Sequence, residues 1–167
     1  EKLISKLIKK NKYSTPLFIK ISPDILDSDL KNICELSLKE KLVTGLIISN
    51  TTTSRKKLYS QQIKNSWKIN EFGGLSGPPL KDTSNKIIKK AFKLTKGKIV
   101  IIGVGGISSG KDAFEKISMG CSLIQLYTAL IYQGPNIISK ILCELSFLLE
   151  ENGIKNIQDL VGKKIEL

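Results

Sequence analysis

A few positions in this 167-residue chain carry residue types suited to chemistry rather than to packing. Lys20 interrupts the otherwise apolar run Leu17–Ser22, LFIKIS. An ammonium group inside a buried strand needs a partner, and a cation fixed there would stabilise an anionic ring or a carboxylate. The alternative is an edge strand whose other face meets solvent. Asn50 ends a second apolar run, GLIISN; it offers a donor and an acceptor to an amide-like or carboxylate ligand, or else makes an ordinary helix cap or Asx turn. Gly105-Gly106 follows a third run, IVIIGV, directly before the cap pair Ser108-Ser109. Bare backbone N–H groups at a helix start favour an anion, whereas the plain alternative is a tight βα turn. Thr128, just past a fourth run, SLIQLY, adds a hydroxyl and a backbone donor.

Missing residue types narrow the chemistry further. The chain has no histidine, which removes Ser–His and Cys–His machinery and most zinc sites. Cys34, Cys121 and Cys143 lie far apart with no CxxC pair, each inside an apolar periodic segment. They are expected to be buried, reduced thiols, and no metal site is expected.

The elements that must position these residues follow from breakers and periodicity. Pro16 and Pro23 bracket the first run as a short strand. Asp27, Ser28 and Asp29 then open a helix with Leu30, Ile33, Cys34 and Leu38 on one face. Gly45–Asn50 is the second strand. A long polar segment, Thr53–Phe72, leads to Gly73-Gly74-Leu75-Ser76-Gly77-Pro78-Pro79, and segments of that length are usually functional or mobile. Asp82 or Thr83 caps a helix carrying Ile87, Ile88, Ala91 and Phe92, stopped by Gly97. Ile99–Val104 is the third strand, followed by a helix with Ala113, Phe114 and Ile117. Ser122–Tyr127 is the fourth strand, and Pro135 starts a helix with Ile137, Ile138, Ile141, Leu142, Leu145 and Leu149 as a broad stripe. A short last helix is expected over Asn156–Val161, and Glu1–Lys12 reads as the end of an amphipathic helix.

Four apolar strands alternating with helices force a parallel sheet covered by helices. A small open sheet and half of a closed barrel both fit that order. A complete eight-stranded β/α barrel needs roughly 250 residues, rarely fewer than about 200, so any barrel signal in 167 residues is part of one. In either case the polar and glycine-rich residues gather at the C-terminal ends of the strands, where such sheets bind ligands. The net charge of +12, from 27 basic against 15 acidic residues, raises the question of a polyanion partner. Only Arg55 is an arginine, so the planar fork that reads bases and phosphates is nearly absent. The spread of lysines fits solvated faces, and no nucleic-acid partner is expected.

With these residues in place, the chain resembles the C-terminal half of the dihydroorotate dehydrogenase family, above all its membrane-associated, quinone-using class 2. The matching pieces are FIKISPD (Phe18–Asp24), ISNTTTSR (Ile48–Arg55), GGLSGPPL (Gly73–Leu80), IIGVGGISSG (Ile101–Gly110) and SLIQLYTALIYQGP (Ser122–Pro135), in the family's order from about Thr15 on. The resemblance implies that residues 1–167 are a single, partial flavin-mononucleotide-binding β/α-barrel domain, the second half of a (β/α)8 TIM barrel. It implies oxidation of dihydroorotate to orotate in pyrimidine synthesis, with a quinone as acceptor and peripheral association with the cytoplasmic side of the inner membrane. Carried over residue by residue, Lys20 lies beside the isoalloxazine ring and stabilises negative charge on the reduced flavin. Ser49, where the family usually has threonine, also contacts the flavin, while Asn50 and Thr51 hydrogen-bond the dihydroorotate ring. Gly77, Gly106, Tyr127 and Thr128 form the cofactor and phosphate site. In this class the base that takes the substrate proton is a serine on a loop before the strand of Lys20, expected upstream of Glu1. No serine of this chain is assigned that role.

Two rivals stay open at this point. One is a soluble class 1 dihydroorotate dehydrogenase or another flavin barrel, with a cysteine base and fumarate or a nicotinamide as acceptor. The other is a non-catalytic module that binds phosphate or polyanions.

Overall fold

The computed structural model describes residues 15–55 and 72–165, together with Lys6 and Lys10. The expected helix over Glu1–Lys12 and most of the long polar segment therefore lie outside the described residues. The elements run β1 (Leu17–Ile21), α1 (Asp27–Lys39), β2 (Val43–Ile48), α2 (Lys81–Thr95), β3 (Val100–Val104), α3 (Gly110–Ser118), β4 (Leu123–Gln125), α4 (Thr128–Gln133) and α5 (Ile137–Glu151). Short 3-10 turns occupy Pro78–Leu80 and Ile157–Leu160.

The sheet has the order β1-β2-β3-β4, and every pairing is parallel. The register aligns Ile21, Ile48, Gly103 and Ile124 in one row and Lys20, Ile47, Ile102 and Leu123 in the next. Because side chains alternate across a strand, the two rows face opposite ways. The first faces the helices: Ile21, Leu46, Ile48 and Ile101 are buried against Leu30, Cys34, Ile88 and Ala91. Each such aliphatic side chain contributes roughly 1.5–3 kcal/mol when fully buried. A second cluster joins Ala113 and Ile117 of α3 to Ile137, Ile141 and Leu145 of α5.

Among the described residues, no helix covers the other sheet face. Lys20 is exposed there, and Leu123 keeps 57% of its surface in water. Parallel sheets are normally covered on both faces, so a bare, partly apolar face is what one would see on the inner side of an incomplete barrel. The Phe18 ring lies over Gly45 of the neighbouring strand, where a Cβ would stand 2.8 Å from Phe18 Cε1 and 2.5 Å from the Val100 carbonyl oxygen.

Several expectations shift by a residue or a turn. β4 is only three residues long, because Tyr127 already begins the α4 turn, an element the sequence did not announce. Helix α1 starts at Asp27 after Leu26, without a side-chain cap; Asp27 and Asp29 instead supply first-turn negative charge. Its buried line is Leu30, Cys34 and Ser37, so Leu38 turns outward at 43% exposure. On α5 the stripe narrows to Ile137, Ile141 and Leu145, and Ile138 and Leu142 are exposed. Cys143 shares that outward face. It is exposed, which corrects the expectation of three buried thiols, while Cys34 and Cys121 are buried as anticipated. By contrast, Ser109 caps α3 as expected, its hydroxyl accepting from the Asp112 amide.

Candidate functional site

A cavity of about 820 Å3 opens at the C-terminal ends of the four strands, within the size range of small-molecule and cofactor sites. It brings together every site residue singled out from the sequence. Lys20 comes from β1, Ser49, Asn50 and Thr51 from the exit of β2, Gly77 from the glycine-rich loop, Gly106 from the exit of β3, and Tyr127 and Thr128 from the exit of β4. Gln125 and Ser76, which fall inside the sequence motifs but carry no site role there, also line it.

Lys20 sits on the edge strand of the described sheet with its side chain on the bare face. It is exposed, as the edge-strand alternative has it, rather than buried, and it borders the cavity. Among the described residues it forms no ion pair, which leaves its charge available to a ligand. Ser49 is 2% exposed, and its hydroxyl oxygen is buried without a hydrogen-bond partner among the described residues. A buried hydroxyl left unpaired costs about 1–3 kcal/mol, a cost that a ligand atom in the cavity would remove. The Asn50 side-chain oxygen accepts the N–H of the next residue, Thr51, at 3.0 Å, not the i+2 contact of an Asx turn, and its amide N–H groups are what it can offer outward.

Hydrogen bonds knit the rim into a circuit. Asp24, just past β1, accepts from the Thr52 hydroxyl and from the Thr53 amide and hydroxyl at 2.8 and 3.1 Å. Partial burial alone would raise the Asp24 pKa, but these donors hold it below the ordinary carboxylate value. Thr52 and Leu75 exchange backbone hydrogen bonds of 3.1 and 2.7 Å as an antiparallel bridge, which seats the glycine-rich loop beside Asn50 and Thr51. Arg55 reinforces the same junction by donating to the carbonyls of Thr52, Thr53 and Gly73. The lone arginine thus works as a backbone staple. On the far side, the Thr128 hydroxyl bonds the Ser76 hydroxyl at 2.9 Å, joining the glycine-rich loop to the start of α4.

The exit of β3 is shaped by two glycines. Gly105 and Gly106 have φ of +107° and +70°, a region open to glycine and strained for other residues. At Gly106 a Cβ would stand 2.5–2.8 Å from Lys81 Cβ, Cα and N, so this turn passes directly against the start of α2. Lys81 in turn pairs with Asp112 at 2.6 Å and Glu115 at 2.7 Å of α3. Burial by itself would lower the Lys81 pKa, yet these two carboxylates raise it; Asp112 is depressed against its own burial by Lys81, Ser108 and Ser109.

The sequence reading missed Lys116, which is 1% exposed. Its ammonium reaches Asn85 Oδ1 at 2.7 Å and Ser84 Oγ at 3.1 Å under the cavity wall. Nothing in the local pattern marked it, since its neighbours Glu115 and Ile117 fit an ordinary amphipathic helix and lysines are everywhere in this chain.

A parallel half-barrel whose strand ends converge on a cation, an unpaired hydroxyl and a glycine turn is the layout of a β/α-barrel site for an anionic cofactor or substrate. The family model for dihydroorotate dehydrogenase matches residues 1–149, and the chain belongs to that family. It is 43% identical over 163 residues to the dihydroorotate dehydrogenase (quinone) of Trichodesmium erythraeum, covering 96% of this chain and 43% of that protein. Against the mitochondrial dihydroorotate dehydrogenase (quinone) of Mus musculus the identity is 41% over 166 residues, covering 96% of this chain and 40% of the relative. The crystal structure of DHODH from Eimeria tenella in complex with ferulenol superposes with a TM-score of 0.81 at 38% identity, covering 89% of this chain and 38% of that one. The chain thus spans less than half the length of these relatives, and its four parallel strands with their helices are part of a TIM barrel.

Proposed function

We propose that residues 1–167 form the C-terminal half of a flavin-mononucleotide barrel whose full-length protein oxidises dihydroorotate to orotate and delivers the electrons to a quinone. The observation that carries this reading is the convergence of Lys20, the unpartnered Ser49 hydroxyl, the Gly106 turn and Thr128 around one cavity. Lys20 would hold negative charge on the ring system. Ser49 would give its buried hydroxyl a partner there. Gly77, Gly106, Tyr127 and Thr128 would seat the ring and the phosphate, the positive-φ glycines letting backbone come close to the anion. Asn50 and Thr51 would bind dihydroorotate, Asn50 through its amide donors, since its oxygen is already engaged. When bound, the flavin supplies the two-electron acceptor for the C–H oxidation.

The base that removes the substrate proton is assigned to a serine outside this chain. A quinone acceptor is favoured over fumarate or a nicotinamide by the names of the relatives from Trichodesmium erythraeum and Mus musculus, both called dihydroorotate dehydrogenase (quinone). Ile131 and Tyr132, exposed by 68% and 84% on the helix that starts at Thr128, would make an apolar approach that suits a lipid-soluble acceptor. No helix among the described residues is long and apolar enough to cross a membrane. The full-length protein would meet quinone by peripheral association with the inner membrane. Flavin content is the direct test. The full-length protein carrying this chain should purify with one flavin mononucleotide per polypeptide, and Lys20→Met should lower dihydroorotate-dependent quinone reduction at least 100-fold. A protein without flavin would overturn the reading.

A further inference from the structure

We propose that Lys116 is a positioning residue of the flavin site, acting through the Ser84 hydroxyl on the carbonyl of Val104. The inference rests on the reading of the cavity as a flavin site. Lys116 belongs to α3, on the helix-covered side of the sheet, and its stem lies across Gly103, where a Cβ would stand 2.6 and 2.9 Å from Lys116 Cδ and Cγ. The ammonium is bonded to two neutral acceptors, Ser84 Oγ at 3.1 Å and Asn85 Oδ1 at 2.7 Å. Lys116 makes no ion pair among the described residues. The nearby carboxylates of Asp112 and Glu115 are taken up by Lys81, and burial keeps the adjacent Cys121 thiol protonated by pushing its pKa up to about 12.

A buried ammonium with no counter-charge is an expensive way to fill space, and methionine would pack the same channel without that cost. The ammonium does something methionine cannot, which is to set the direction of a hydroxyl. A protonated lysine only donates. Ser84 Oγ must therefore accept from Lys116 and direct its single proton at a carbonyl, and it does so to Val104 at 2.6 Å, with the Ile48 carbonyl 3.4 Å away. The Val104 oxygen also accepts the Ser49 N–H at 3.1 Å. Lys116, Ser84, Val104 and Ser49 thus form a continuous relay from the helix side of the sheet to its cavity side. It ties together the ends of β2 and β3, directly before Asn50 and Gly105. Asn85 fixes the other end of the ammonium, and both partners stand on α2, whose first residue Lys81 abuts Gly106.

The test compares wild type with Lys116→Met, Ser84→Ala and the double variant in the full-length protein. Ile117→Val, a buried neighbour outside the relay, serves as the control. Two readouts are followed: the dissociation constant and visible circular dichroism of flavin mononucleotide on the apoprotein, and native-state hydrogen exchange at the Ser49 amide. Each relay variant should weaken flavin binding at least tenfold, alter the dichroic spectrum and speed Ser49 exchange at least tenfold, with the double variant no worse than the worse single. Ile117→Val should change neither readout. Wild-type binding and exchange in Lys116→Met, or losses that add in the double variant, would overturn the proposal. If Lys116→Met fails to fold, Ser84→Ala decides alone by the same criteria. If wild type binds no flavin, the functional reading fails, and Ser49 exchange still judges the relay.

Discussion

Replacing Gly106 by alanine separates two costs that are easily confused, backbone strain and steric overlap. A non-glycine residue at φ +70° pays about 1–2 kcal/mol for its left-handed backbone. Gly153, after α5, has φ +64° and nothing within 4 Å of a built Cβ, so Gly153→Ala pays that strain alone. At Gly106 the added carbon would meet Lys81 Cβ, Cα and N at 2.5–2.8 Å, where ordinary contact begins at 3.4 Å. Two of those atoms are backbone at the start of a helix, so the β3 exit and α2 must part by the better part of an ångström. Overpacking of this kind costs about 1–3 kcal/mol more. Gly106→Ala should therefore lose about 2–5 kcal/mol in urea unfolding of the full-length protein, against about 1–2 for Gly153→Ala. Because the displaced segment lines the cavity, flavin affinity should fall roughly 10–100-fold in the first variant and stay at wild type in the second. Equal unfolding losses, or an unchanged flavin dissociation constant in Gly106→Ala, would refute the claim that the close approach of Gly106 to Lys81 shapes the site.

Further expectations follow from the charged and thiol groups. Burial pushes the Lys116 pKa down to about 8 from 10.5, so between those pH values the unfolded chain holds more protons than the folded one and stability rises with pH. The gain reaches about 3 kcal/mol by pH 10.5, and unfolding measured from pH 7 to 10 should show this rise in wild type but not in Lys116→Met. Asp24→Ala removes the acceptor for the Thr52 and Thr53 donors. Since Asp24 is largely exposed, the loss is about 1 kcal/mol, read as roughly a fivefold rise in KM for dihydroorotate with kcat little changed. A disulfide-exchange reagent near neutral pH should label Cys143 quickly in the native protein. Cys34 and Cys121, buried and with pKa raised to about 11 and 12, should react only on unfolding.

Much of this architecture was legible in the sequence because its signals are local. Apolar runs bounded by Pro16, Pro23 and Gly105 mark strands wherever they end up, and Ser108-Ser109 before Asp112 marks a helix start. The candidate site was legible for a similar reason: parallel β/α units bring the same strand end to one side, so Lys20, Asn50, Gly106 and Thr128 had to meet. What stayed hidden depends on contacts between elements. Lys116 is buried because α2 offers it Ser84 and Asn85, thirty-odd residues away in the chain. Cys143 is exposed because α5 packs on one flank only, against Ala113 and Ile117, leaving Leu142 and its neighbours facing out. The shortness of β4 has the same origin, since the turn into α4 is set by where Thr128 meets Ser76.

The central claim is that Lys20, Ser49, Asn50 and the Gly106 turn belong to a flavin site that oxidises dihydroorotate for a quinone. The most direct measurement is anaerobic mixing of dihydroorotate with the purified full-length protein, followed by flavin absorbance, and then addition of a ubiquinone analogue or fumarate. Bleaching of the flavin by dihydroorotate and its recovery with the quinone but not with fumarate is the predicted result, with bleaching at least 100-fold slower in Lys20→Met. A protein that carries no flavin, or whose flavin is recovered by fumarate alone, would contradict it.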